Sequence, residues 1–250
     1  MTTDSSRSWR AQRRELKYLV DETLARRIRA GALPFVEPDP FAARCPGFVY
    51  PVASLYLDGS DLPLYRETIE GLRARFKLRV RSYSDDPDGR WFFEIKRRQD
   101  GLVEKTRAAL PRGQAQRLLE LAAADDLPED PVRRRAVEQF VTLAEQTAAR
   151  PRTIVRYDRE AYVGRFDDEV RVTFDRMLRA AVTDEPVVTT ERADFVPVES
   201  RRVVVEMKFN HRMPNWMDTL IHRFELRRQS FSKYGRSIEA LVAQGATRHA

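Results

Sequence analysis

The chain has 250 residues, 42% of them hydrophobic, which is enough for one large domain with its own core. Its formal charge of +7 favours an anionic partner: nucleic acid, a phosphorylated metabolite or an acidic membrane surface. The single cysteine, Cys45, excludes an internal disulfide and a zinc site built from thiolates. No stretch approaches the ~20 apolar residues that cross a bilayer, and residues 1–6 lack a secretion-signal core, so we expect a cytoplasmic protein.

The first half of the chain reads mainly as an antiparallel meander. A strand at residues 14–20 leads into a short helix at 21–30, for which Asp21 is a suitable cap. After a Pro-rich loop, two-residue periodicity and turn-forming segments predict strands at residues 52–57, 76–83, 90–96 and 102–106. Helical spacing then predicts helices at residues 113–124 and 131–149.

The second half returns to strands and ends in helices. We predict strands at residues 153–158, 161–166, 170–175 and 202–209, with a short one near Val187, and helices at 216–224 and 232–243. No interdomain linker or fixed-period repeat interrupts this order. We therefore predict a single α+β domain over residues 1–250.

Several strands carry charge on one face and apolar residues on the other. At the two-residue period of a strand, Lys77, Arg79 and Arg81 project together. A solvated face paired with acids on the next strand is one interpretation, but that strand offers Lys96 as well as Glu94. Closing such strands into a barrel would instead gather the charges into a basic lumen suited to a chain of phosphates and a divalent cation.

Two Glu-x-Lys pairs place a carboxylate beside an ammonium near opposite ends of the chain, at Glu15-Leu-Lys17 and Glu206-Met-Lys208. Glu206 is either a structural counter-ion or a ligand for a hard cation, because Mg²⁺ commonly takes one or two carboxylates plus substrate phosphate oxygens. Both interpretations remain open at this stage.

Ser232 and Lys233 precede a helical run. Ser232 is a suitable N-cap with Lys233 solvated in the first turn, whereas the alternative is an anion site at the helix start. The histidines His211, His222 and His249 show no metal-ligand spacing.

Signatures of common phosphate-handling and hydrolytic enzymes are missing. The sequence has no Walker-type loop, no Gly-x-Gly-x-x-Gly run, no Gly-x-Ser-x-Gly elbow and no kinase His-Arg-Asp motif. A phosphate enzyme of this sequence would rely on positioning and charge stabilisation.

Eight short motifs occur in order between residues 14 and 240: Glu15-Leu-Lys17-Tyr18, Ser54-Leu-Tyr56-Leu-Asp58, Lys77-Leu-Arg79-Val-Arg81-Ser-Tyr83, Glu94-Ile-Lys96, Val155-Arg156-Tyr157, Arg171-Val-Thr173-Phe-Asp175, Val205-Glu206-Met-Lys208-Phe209 and Ser232-Lys-Tyr234. Together they resemble the VTC-type polyphosphate polymerase domain of the triphosphate tunnel metalloenzymes. The resemblance implies a closed antiparallel β-barrel of about eight strands with helices packed outside. It also implies an ATP-polyphosphate phosphotransferase that needs Mn²⁺ or Mg²⁺.

The resemblance also implies roles for individual residues, and Lys77 joins them from the strand pattern. The transferring phosphates would be held by Arg79, Arg81, Lys96, Arg156, Arg171 and Lys208. Further substrate contacts would come from Lys17, Lys77, Lys105, Tyr157, Ser232 and Lys233. The metal ligand would be Glu206.

One departure concerns Arg13, which stands where hydrolytic members of the superfamily carry the first Glu of Glu-x-Glu-x-Lys. This favours the polymerase branch over a triphosphatase acting on nucleoside triphosphates or inorganic triphosphate, which remains the alternative. A non-enzymatic polyanion-binding module is a third hypothesis, with no specific nucleic acid expected. Because the family's membrane helices are missing from the sequence, we expect a separately encoded membrane partner.

Overall fold

The computed structural model describes residues 13–100, 102–121 and 127–245. Within these ranges the strands are β1 (Arg13–Asp21), β2 (Val36–Pro38), β3 (Val49–Asp58), β4 (Ala74–Ser82), β5 (Arg90–Gln99), β6 (Leu102–Pro111), β7 (Arg150–Gly164), β8 (Arg171–Val182), β9 (Val196–Glu199) and β10 (Arg202–Asn210). The helices are α1 (Glu22–Ala32), α2 (Pro63–Ile69), α3 (Arg112–Leu121), α4 (Pro131–Gln146), α5 (Asn215–Arg223) and α6 (Lys233–Ala243). His249, residues 1–6 and residues 122–124 of the predicted helix lie outside the described residues.

All the strands belong to one antiparallel sheet, in the order β1-β10-β8-β7-β3-β4-β5-β6. The short strand β2 adds to β7, and β9 adds to β8. The predicted α+β class and antiparallel meander are therefore confirmed. None of the helices in the described ranges is both long and apolar enough to span a bilayer.

The sheet curls strongly. In the strand order, β5 lies six spacings from β1, which in a flat sheet would separate them by about 29 Å. Yet Lys96 Nζ on β5 is 3.7 Å from Glu15 Oε2 on β1. The face that carries these two side chains, called the inner face below, is therefore concave.

The predicted closed barrel is wrong, because the described strands leave the sheet open. Neither β1 nor β6 has a second ladder partner, so β1 and β6 are its two edges. The two ends of the sheet approach through charged side chains, since Glu15 of the edge strand β1 contacts Lys96 of β5, the neighbour of the edge strand β6. Alternating charge predicts which face is polar, but it does not determine whether the first and last strands pair.

Other differences from the predicted elements are local. The two strands predicted at residues 153–158 and 161–166 form the single strand β7, and β8 runs on to Val182. No strand lies at Val187, and the short strand β9 follows at Val196–Glu199 instead. Helix α2 was not predicted, because seven residues are too few to show helical periodicity.

Two apolar clusters hold the outer face of the sheet. One packs α1 and α5 against β1, β8 and β10, with Ile28, Met217 and Val205 fully buried. The other packs α3 and α4 against β3 to β6, around Trp91 and Phe140. Fully burying a large apolar side chain contributes about 1.5–3 kcal/mol, so these clusters stabilise the curled strands from outside.

Helix α6 differs from the prediction that the helices pack outside, because it lies against the inner face. Tyr234 stacks on Tyr56 of β3 with ring centroids 4.6 Å apart. Its hydroxyl donates a hydrogen bond to the buried carboxylate of Asp58, at 2.7 Å. The same carboxylate accepts from the backbone N–H groups of Leu64 and Tyr65 at the start of α2, at 3.0 and 2.9 Å.

We expect Asp58→Ala to lower the free energy of unfolding by about 3 kcal/mol, because it leaves buried donors of both α2 and α6 without an acceptor. Tyr234→Phe removes only the hydroxyl and should cost about 1 kcal/mol. Urea unfolding monitored by circular dichroism measures both variants. Equal losses would mean that the backbone hydrogen bonds to Asp58 contribute nothing.

Candidate functional site

The inner face carries a row of cations along β4. Lys77, Arg79 and Arg81 point inward, while Leu78 and Val80 between them are completely buried in the outer apolar cluster. This alternation follows from the pleat of a strand with one apolar face. The predicted basic face therefore exists, and it lies inside the curl rather than on a solvated surface.

One buried carboxylate serves several of these cations. Glu94 on β5 lies 2.7 Å from Arg79, 2.6 Å from Lys105, 3.2 Å from Arg107 and 3.9 Å from Arg81. We call these five residues the Glu94 cluster. Burial opposes ionisation of Glu94, but the surrounding cations outweigh it and hold its pKa well below the usual range.

Neutral hydroxyls fix the guanidinium groups of β4. Arg79 donates to Tyr56 Oη at 3.2 Å, and Arg81 donates to Ser54 Oγ at 3.1 Å and Tyr157 Oη at 3.3 Å. Arg81 is only 6% exposed. These contacts hold both side chains in place while leaving donors to spare, since each guanidinium has five N–H groups.

A second cluster lies on the opposite wall. Glu206 on β10 is 2.7 Å from Lys208, 3.0 Å from Lys233 and 3.7 Å from Lys17. Lys233 Nζ is also 2.6 Å from Asp175 on β8, and Arg159 on β7 binds both oxygens of Asp175 at 2.6 and 2.7 Å. The Glu206 cluster, as we call it, comprises Lys17, Arg159, Asp175, Glu206, Lys208 and Lys233.

The cap predicted at Ser232 is confirmed, the solvated position of Lys233 is wrong, and the anion site stays a prediction. Ser232 caps α6 by accepting from the backbone N–H of Gly235 at 3.0 Å. Its hydroxyl also accepts from Lys77 Nζ at 2.9 Å. Lys233 is not solvated: its side chain is 11% exposed, and Asp175 and Glu206 outweigh burial and raise its pKa.

Three inner-face lysines have pKa values below the ordinary value of a lysine. Burial and the neighbouring Lys96 and Lys17 lower the pKa of Lys77 to about 7. Burial lowers the pKa of Lys105 to about 7, despite the Glu94 carboxylate, and that of Lys96 to about 8, despite Glu15. These cations outnumber the carboxylates beside them, so a bound anion would stabilise their charged forms.

The remaining predicted residues do not all lie on this face. Arg171 stands at the start of β8 in the inward row with Thr173 and Asp175, and it is exposed. The predicted inward position of Arg156 is wrong, since it pairs with Ala53 of the outer cluster and lies 2.8 Å from Asp158. The ladder with β3 is regular here, with Ala53 opposite Arg156 and Val52 opposite Tyr157, so these two neighbours point to opposite faces.

Sequence reasoning also missed residues that the structure brings to the site. Arg159 is two residues after Tyr157, so the period-two rule could have found it. Arg107 likewise follows Lys105. Asp175 and Glu15 were part of motifs, but nothing in the sequence shows that Asp175 lies beside Lys233, which is far along the chain.

The inner face also offers ligands for a divalent cation. Glu15 and Glu206 lie on the adjacent strands β1 and β10, one inward position apart in the ladder. Burial and the Glu206 carboxylate oppose ionisation of Glu15, but Lys208, Lys17 and Lys96 outweigh them and lower its pKa to about 2. No group of three His, Cys, Asp or Glu side chains that could hold a metal occurs within the described ranges. Two neighbouring carboxylates are a donor set that fits a divalent cation whose other oxygen ligands come from water or a bound phosphate.

Residues 12–242 match the family model described as the VTC domain. A Bacillus halodurans protein described as a candidate adenylate cyclase superposes with a TM-score of 0.50 at 12% identity, over 89% of this chain and 93% of that one. The PH1819 protein of Pyrococcus horikoshii gives a TM-score of 0.44 at 10% identity, over 93% and 99%. At 12% identity, the match to the Bacillus halodurans protein shows similarity of fold alone. No curated protein matches the chain.

We expect the pH dependence of stability to reveal the crowded lysines. Folding lowers the pKa of Lys77, Lys96 and Lys105 from the ordinary 10.5 to about 7, 8 and 7. The unfolded chain therefore binds more protons between pH 7 and 10, and their contribution to the free energy of unfolding rises with pH through that window.

Binding of inorganic tripolyphosphate should reprotonate these lysines. Titration calorimetry at pH 8.5 in two buffers of different ionisation enthalpy should show proton uptake on binding. Lys77→Met should reduce that uptake. Binding without any proton uptake would mean that these lysines keep ordinary pKa values.

Proposed function

The chain belongs to the VTC domain family, and from this premise we propose that it is a metal-dependent polyphosphate polymerase. It transfers the terminal phosphate of ATP to inorganic phosphate or to a growing polyphosphate chain and releases ADP. A Mn²⁺ or Mg²⁺ ion is its cofactor. The cytoplasmic location and the separately encoded membrane partner stay predictions.

The observation that carries the proposal is the pair of cationic walls that face each other across the inner face. The Glu94 cluster supplies Arg79, Arg81, Lys105 and Arg107 from one side. The Glu206 cluster supplies Lys17, Arg159, Lys208 and Lys233 from the other. An anion with charge spread along its length can contact both walls at once, which suits a chain of phosphates.

The chemistry asks little of the protein beyond position and charge. An oxygen of the acceptor phosphate forms a bond to the γ-phosphorus of ATP while the bond from that phosphorus to the β–γ bridging oxygen breaks. The bridging oxygen leaves with the electron pair as part of ADP. An acceptor phosphate is already a nucleophile, so no side chain has to act as a general base.

The inner-face cations have two tasks in this step. Arg79 and Arg81 are held by Tyr56, Ser54 and Tyr157, so their remaining N–H groups can meet charge that develops on the transferring group without reorganising. Lys208 and Lys233 face them from the other wall and can align donor and acceptor.

The carboxylates of the Glu94 and Glu206 clusters keep the inner-face cations in place when no substrate is bound.

A divalent cation bound by Glu15, Glu206 and phosphate oxygens would offset negative charge on the substrate. In exchange, the ammonium groups of Lys17 and Lys208 would turn from Glu206 towards phosphate.

Product analysis tests the proposed reaction. The protein is incubated with ATP and Mn²⁺ or Mg²⁺, and long polyphosphate with an equal amount of ADP is expected. Free phosphate as the sole product would replace the proposal with a triphosphatase. Tight binding of duplex DNA without nucleotide turnover would instead indicate a polyanion-binding module.

We expect Arg79→Ala to reduce turnover at least about 100-fold, because it removes a fixed charge-assisted donor aimed into the site. Arg156→Ala is the matched control, since this arginine lies on the outer face beside Asp158 and its loss should leave turnover within about twofold. Steady-state kinetics with a melting curve for each variant measures both effects. Equal losses would place Arg156 in the site after all.

We expect Glu206→Gln to lower both stability and metal affinity. Loss of the charge leaves Lys17, Lys208 and Lys233 under-neutralised and should cost about 3 kcal/mol. If Glu206 also binds metal, the variant should need more Mn²⁺ for half-maximal activity.

Asp175→Asn is the control for this variant, because Asp175 is an equally buried partner of Lys233 to which we give no metal role. It should destabilise the protein without altering the metal requirement. An unchanged metal requirement in Glu206→Gln would leave Glu206 as a counter-ion only.

A further inference from the structure

Aromatic rings gather at one end of the cationic row on β4. Tyr83 directly follows β4, and its ring centroid is 5.5 Å from Phe41, 5.8 Å from Tyr50 and 5.3 Å from Phe92. Phe41 also meets Tyr50 edge-on at 4.7 Å. We call these four residues the aromatic end.

The aromatic end continues the line of phosphate-binding candidates. Arg79 and Arg81 are successive inward positions of β4, and Tyr83, two residues further on, accepts a hydrogen bond from Arg107 of the Glu94 cluster. At the rise of a strand, the four-residue step from Arg79 to Tyr83 spans about 13 Å. That is the scale of an extended nucleoside triphosphate. The opposite end of the row is capped, because Lys77 there donates to Ser232 at the start of α6.

Arg107 joins the two regions. Its guanidinium lies 3.8 Å over the ring of Phe92 and donates to Tyr83 Oη at 3.0 Å, and it is also 3.2 Å from Glu94. A single cation therefore belongs to the charged cluster and to the aromatic end. When a ligand places a phosphate against Arg107, the group attached to that phosphate can reach the rings of the aromatic end.

The aromatic end also presents an accessible ring. Phe41 is 43% exposed, although it packs edge-on against the buried Tyr50. Burying that surface against a flat partner is favourable, whereas a phosphate chain alone would gain nothing from it. Stacking of one base on an aromatic side chain contributes about 1–3 kcal/mol.

We propose that the aromatic end binds the nucleobase of the phosphate donor, with Phe41 as its stacking surface. This inference rests on the proposed function and names the part of the site that separates a nucleoside triphosphate from an inorganic polyphosphate. The base lies at the open end of the row, and the phosphates run inward along Arg81 and Arg79 towards α6. A purine, with its larger surface, binds better than a pyrimidine.

The test compares two ligands on the same variants. Titration calorimetry measures the dissociation constants of ATP and inorganic tripolyphosphate for the wild type, Phe41→Ala, Phe41→Leu and Phe48→Ala. Phe48 is the matched control, because it is 44% exposed on the adjacent 3₁₀ turn Pro46–Phe48. Phe41→Leu keeps apolar bulk and serves if Phe41→Ala fails to fold.

Both Phe41 variants should bind ATP about tenfold more weakly while tripolyphosphate binding stays unchanged. Phe48→Ala should alter neither ligand. Equal losses for both ligands, or unchanged ATP binding, would overturn the nucleobase site and leave the proposed function standing. A wild-type protein that binds neither ligand would overturn both.

Discussion

Repulsion among inward-facing cations is the constraint on which the rest of this structure depends. The curl of the sheet brings cationic side chains from its two halves towards one another, and within the described residues Glu15, Glu94, Asp175 and Glu206 are the carboxylates that offset them. Each of these carboxylates contacts more than one cation. Burial, together with neighbouring cations, lowers the pKa of Lys77 and Lys105, and a bound anion would stabilise their charged forms.

Such a face can exist only because the other parts of the fold stabilise it. The outer apolar clusters bury one side of the strands whose other side carries the site, since alternate residues point to opposite sides. A third apolar cluster packs α6 against the inner side, around Tyr56, Tyr157 and Tyr234. Helix α6 adds an anchor on the inner side, where Tyr234 binds Asp58 and Lys233 bridges Asp175 and Glu206. The site is therefore fixed both by packing around it and by the ion pairs within it.

The sequence predicted what depends on local periodicity and missed what depends on long-range pairing. The spacing of Lys77, Arg79 and Arg81 predicts that they share one face of a strand, and the structure confirms this. Arg156 and Tyr157 belong to one motif and were both predicted to bind phosphate, although these adjacent strand residues point to opposite faces. The open sheet edges, the inner position of α6 and the contact of Lys233 with Asp175 depend on which distant segments meet, and periodicity carries no information about that.

The open edges affect how a ligand acts on the fold. The ion pair between Glu15 on β1 and Lys96 on β5 reaches across the opening, where a closed barrel would have backbone hydrogen bonds. Both side chains are half-buried, so water and salt still screen part of this attraction. A polyphosphate held by both walls would add charge-assisted contacts across the same opening. Under the proposed function, the substrate would complete the enclosure that the backbone leaves open, and recognition of a long anion would then stabilise the fold that holds it.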